Sequence, residues 1–128
     1  MINYGFYKEL DYSFEKTAEI ILPLIQKHKF SIVTQIDLKE KFADKLNIQY
    51  GEYTILGLCN PNLAHQALDV EDSLGLFFPC NMIVYEKGDK TVVAVMKPSE
   101  MMNMVDSPGL TEIAGKVETE LKALFDEI

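Results

Sequence analysis

Polar and apolar positions along the chain change period several times, and each change predicts an element. Residues 2–9 alternate loosely, with Tyr4 and Phe6 on one face, and read as a strand. The period then lengthens. Phe14, Ala18, Ile21, Leu22 and Ile25 fall at helical spacing and predict a helix over residues 14–28. Asp11 and Ser13 are its N-cap candidates. Pro23 lies inside it, removes one backbone donor, and is expected to kink the helix at a cost of ~3 kcal/mol if nothing relaxes. Residues 30–37 return to period two, with Phe30, Ile32, Thr34 and Ile36 on the apolar side. Leu38, Phe42 and Leu46, four apart, predict a short amphipathic helix over 38–46. Residues 53–59 are nearly all apolar and predict a central strand.

Asn60-Pro61 opens a further helix, because Asn caps well and Pro suits the first helical position. Residues 81–86 and 91–96 form a hairpin around Lys87-Gly88-Asp89-Lys90. Ser107-Pro108 repeats the cap-plus-proline signal. The last helix, residues 108–127, is expected to bury Leu110, Ile113, Ala114, Val117, Leu121 and Leu124. This order predicts an α+β fold, a mainly antiparallel sheet with helices packed on one face. The length suits one domain, residues 1–128, and no repeat or linker interrupts it. No glycine-rich loop follows a strand, so neither a P-loop nor a dinucleotide fingerprint is present.

Composition narrows the partners. The net charge is -8 and every one of the 12 cationic side chains is Lys, which argues against nucleic acid. The same charge repels anionic membrane surfaces, and no apolar run reaches the ~20 residues that span a bilayer. The start, Met1-Ile2-Asn3-Tyr4-Gly5, carries no signal-peptide pattern, so a cytoplasmic protein with reduced thiols is expected.

Two cysteines are too few for a disulfide scaffold, yet they are the nearest approach to a chemical site. Cys59 ends a strand just before a helix N-terminus, where amides and the helix dipole favour an anion and are expected to lower a thiol pKa. Cys80 opens the fourth strand, and both sulfurs share one sheet edge if the third and fourth strands are neighbours. His65, six residues after Cys59, would complete a Cys–His pair or an open three-ligand metal site, although Leu63, Ala64, Ala67 and Leu68 mark the apolar side of its helix and turn it toward solvent. Against these stands the plain reading that two cysteines simply fill the core. Asn60 reads first as a helix cap. Met96, Met101, Met102 and Met104 read as a dimer seam or core edge rather than a cofactor box.

Leu56-Gly57-Leu58-Cys59-Asn60-Pro61, then Ala64 and Ala67-Leu68, then Pro79-Cys80-Asn81-Met82-Ile83-Val84-Tyr85-Glu86 resemble the signature of the "domain of unknown function 302" family. Phe30-Ser31-Ile32-Val33-Thr34-Gln35-Ile36-Asp37 and Met96-Lys97-Pro98 also fit. The resemblance implies a β-α-β(4)-α, TATA-box-binding-protein-like fold and a homodimer. It carries no activity. One departure is Lys29, which stands where relatives usually have Gly; if the backbone there has a positive φ, Lys costs roughly 1 kcal/mol relative to Gly.

The function expected is a dimeric small-molecule-binding module with Cys59, Asn60 and Cys80 at its pocket, and His65 as an outlying candidate. No metal or cofactor is expected. The alternatives are a thiol-dependent redox or sulfur-transfer enzyme using Cys59 and Cys80, and a structural or interaction protein with both cysteines in the core. Whether the protein is an enzyme stays open at this point.

Overall fold

In a computed structural model that describes residues 2–128, five strands make one antiparallel sheet. They are β1 (Gly5–Leu10), β2 (Ser31–Asp37), β3 (Tyr53–Cys59), β4 (Cys80–Lys87) and β5 (Lys90–Met96), in spatial order β1-β5-β4-β3-β2. The helices are α1 (Phe14–Lys27), α2 (Leu38–Leu46), α3 (Pro61–Val70), α4 (Pro98–Met101) and α5 (Pro108–Asp126). Short 3₁₀ turns at Asp72–Phe77 and Met102–Met104 complete the chain. The expected β-α-β(4)-α order is present, with α2, α3 and α4 inserted. β3 is paired on both sides, and β4 holds the middle position.

One sheet face carries Leu56, Leu58, Met82, Val84, Val93 and Val95. Ile21 and Ile25 of α1, and Leu121, Leu124 and Phe125 of α5, close over it. Lys8 lies on that same face of β1. Its ammonium donates to the Phe125 and Ile128 carbonyls at 3.0 and 3.1 Å and ties the end of α5 to β1; the Phe125 carbonyl also accepts from the Ile128 amide at 3.1 Å. A smaller cluster of Ala67, Leu74 and Leu110 joins α3, the first 3₁₀ turn and α5.

Three local expectations need correction. The buried stripe of α1 is Thr17, Ile21 and Ile25, while Leu22 is 48% exposed. Thr17 is tolerated there because its hydroxyl donates to the Ser13 carbonyl at 2.8 Å. Ser13, not Asp11, caps α1, accepting from the Lys16 amide at 3.1 Å; Asp11 pairs instead with Lys90. Ser107 makes no side-chain cap on α5. The helix α1 runs through Pro23 without ending.

At the exit of α1, Lys29 has φ 67°. Its amide donates to the Gln26 carbonyl at 3.0 Å, and the Phe30 amide to the Ile25 carbonyl at 3.0 Å. This paired pattern is a Schellman motif with Lys29 in the left-handed position that glycine usually takes. The turn expected at this departure is therefore real. The hairpin turn likewise places Gly88, φ 63°, first in its two-residue loop, as a II′ turn requires.

Candidate functional site

Cys59 and Cys80 come to the same end of the sheet because β3 and β4 are neighbours. Cys80 sits directly across from Leu58, one residue before Cys59. Beyond that sheet end the chain does not close its core. A cavity of about 310 Å³ opens between the strand ends, α3, the first 3₁₀ turn, α4 and α5. Leu58, Cys59, Asn60 and Cys80 form its floor, and Leu63, Ala64 and Ala67 of α3 one wall. Phe77, Phe78, Met101 and Met102 close another side, and Ile113, Ala114 and Val117 of α5 the last. Its lining is apolar apart from Asn60 and the two thiols.

This lining explains why Ile113 and Val117 are only half-buried although they belong to the apolar stripe of α5. Both line the cavity, and Val117 also packs against the core over the sheet. Met96, Met101 and Met102 also line it, whereas Met104 is exposed. The methionine cluster therefore serves mainly as cavity wall.

The thiol chemistry differs from expectation. Both cysteines are free. Burial pushes the Cys80 thiol up to about 11, with the nearby Cys59 thiolate adding to the effect. Burial also pushes Cys59 up. The helix start that was expected to lower Cys59 has few donors left. Pro61 has no amide hydrogen, the Leu63 amide donates to Asn60 Oδ1 at 3.2 Å, and the Ala64 amide donates to the Asn60 carbonyl at 2.9 Å. Desolvation of the thiolate thus outweighs the dipole. Asn60 is the cap of α3, as its place before Pro61 predicts.

His65 lies on the outer side of α3 with its side chain 80% exposed and its Nδ1 3.9 Å from Asp69 Oδ2. It does not line the cavity. Neither a Cys–His pair nor a three-residue set with both cysteines forms. Among the described residues no group of three or more His, Cys, Asp or Glu is placed to hold a metal.

A second, more open cavity of about 400 Å³ adjoins the first and shares Asn60 and Leu63 with it. Lys29, Lys116, Glu120 and Asn62 line it. The sequence marks Lys29 only as a turn position and Lys116 not at all, because a helix exit and an exposed helical position converge here only in three dimensions. The aromatic pair Phe77-Phe78 and the methionines carried a weak signal, an apolar excess in segments predicted to be loop.

A family profile described as "Domain of unknown function DUF302" matches residues 6–128. The structure is similar to the crystal structure of an uncharacterized conserved protein DUF302 from Bacillus stearothermophilus, at 27% identity, with a TM-score of 0.89 and 97% of each chain covered. No curated protein matches the chain. Among the described residues no helix is long and apolar enough to cross a membrane.

Proposed function

Because this chain belongs to the family of domains of unknown function DUF302, its activity has to be read from its own site, and we propose that it is a binding module for a small, mainly apolar molecule. The observation that carries this reading is the open apolar cavity of about 310 Å³ at the Cys59-Asn60-Pro61 turn. Cavities of this size, apolar with a few polar groups, are the usual form of small-ligand sites. Asn60 and the thiols of Cys59 and Cys80 supply the polar contacts. An enzyme using thiolate chemistry is the less favoured reading, because a nucleophilic cysteine needs a depressed pKa and both thiols move the other way.

We further infer that the module works as a homodimer through the helix-free face of the sheet. Ile36, Ile55, Ile83, Ala94 and Tyr7 are register partners in turn and form an apolar row across all five strands. They alternate with the helix-covered residues and so point to the other side.

Calorimetric titration with 1-octanol tests the cavity. The wild-type chain is expected to bind it, and Ala114→Leu, which fills the space beside Ile113, is expected to abolish binding with the fold retained by circular dichroism. Absence of binding to the wild type, or equal binding by the filled variant, would remove the cavity from the account.

A further inference from the structure

Resting on that cavity reading, we propose that the ligand is an amphipathic anion, with its acyl-type tail in the apolar cavity and its anionic head between Lys29 and Lys116. The two cavities share Asn60 and Leu63 in their linings and so lie side by side, close enough for one molecule to reach from the first into the second. The chemistry changes sharply at that junction. On one side the walls are apolar; on the other stand two ammonium groups and one carboxylate, Glu120. That is a local excess of one positive charge in a chain of net charge -8.

Both cations are available. Lys29 makes no ion pair among the described residues, and it is exposed. Lys116 meets Glu112 on its own helix at 3.7 Å, with both side chains more than half exposed, a weak pair that an incoming anion can displace. Asn60 spends Oδ1 on the Leu63 amide and keeps its Nδ2 hydrogens at the junction. Two ammonium groups and the Asn60 donor outweigh the single Glu120 carboxylate, so a carboxylate or other oxyanion head is matched. A cationic head would face two like charges, and a neutral one would leave both lysines unanswered. The apolar cavity of about 310 Å³ lies at the small end of ligand-site volumes, which suits a medium-chain acyl tail.

Calorimetry on the full chain with sodium octanoate, 1-octanol and octylamine tests this. Octanoate is expected to bind roughly tenfold tighter than octanol, and octylamine more weakly than either. The double variant Lys29→Gly, Lys116→Gln is expected to bring octanoate down to the octanol level while octanol binding stays unchanged. Raising the salt to about 0.5 M is expected to weaken octanoate and leave octanol alone. Lys29→Gly also relieves the left-handed strain, so loss of affinity without loss of thermal stability separates a binding role from a folding one. Octanoate binding no tighter than octanol, or untouched by the double variant, overturns the anionic head while octanol binding preserves the cavity. Failure of octanol and octanoate alike brings down the cavity reading itself.

Discussion

Cys80 and Lys29 show how far single residues carry the account. The Cys80 thiol sits against the cavity floor, where burial holds its pKa at about 11 instead of the ordinary 9.0. A folded-state pKa above the unfolded one stabilises the native state below the unfolded pKa. That contribution is lost as pH rises through the folded pKa. The window is therefore pH 9.0 to about 11. Urea unfolding at neutral pH and near the top of that window should show the wild type losing about 2 kcal/mol more than Cys80→Ala. Parallel pH profiles for the two proteins would mean that Cys80 ionises freely. At Lys29, the left-handed backbone costs roughly 1 kcal/mol that glycine would not pay. The strain at position 29 accompanies a charge in the lining of the second cavity.

At the scale of elements, two glycines separate what β3 and α5 require. A Cβ on Gly57 would stand 2.1 Å from Thr34 Oγ1 and 2.5 Å from Pro79 Cγ. The missing side chain lets the β2 edge and the entry to β4 close over β3, next to the Cys59 turn. Gly57→Ala is expected to destabilise the protein by about 1–3 kcal/mol through overpacking. A Cβ on Gly115, inside α5, meets nothing within 4 Å. Gly115→Ala is therefore expected to stabilise by about 0.5–1 kcal/mol through helix propensity. Urea midpoints of the two variants should move in opposite directions; equal shifts would show that the close approach at Gly57 is relaxed at no cost. The helix α5 also shows one stripe divided between two tasks. Leu121, Leu124 and Phe125 pack on the sheet, Ile113, two turns before Leu121, lines the cavity, and Val117 between them touches both.

The whole molecule presents two unfilled apolar surfaces, the cavity at the sheet end and the helix-free sheet face. On that face Ile36 is 39% exposed, and Tyr53 and Tyr85 stack with centroids 4.9 Å apart. In the apolar row Ile36 is exposed, Tyr7, Ile55 and Ile83 are half-buried and Ala94 is buried between its neighbours, which fits a surface that a second copy covers. Light scattering coupled to size exclusion is expected to give a dimer mass for the wild type and a monomer mass for Ile83→Lys. A monomeric wild type would end the dimer reading. The acidic surface does not oppose such a dimer, because the row itself is uncharged from Ile36 to Tyr7.

Period and punctuation made the five strands, α1, α2, α3 and α5 legible, together with the Asn60 cap, because each follows from local spacing and local hydrogen bonding. The resemblance carried by the Cys-Asn-Pro and Pro-Cys strings placed those elements in one topology. The placement of Cys59 and Cys80 at one sheet end needed only the neighbouring of β3 and β4. Other features depended on packing. Which side chains of α1 are buried turned on a Thr17 hydroxyl finding the Ser13 carbonyl. The direction of the thiol shifts turned on desolvation, which has no counterpart along the chain. His65 left the site because the helix turns it outward. The cavity itself exists only because α3, α4, α5 and a 3₁₀ turn meet beyond the strand ends without filling the space between them. A void is a property of how elements fit, and the spacing of residues within each element does not contain it.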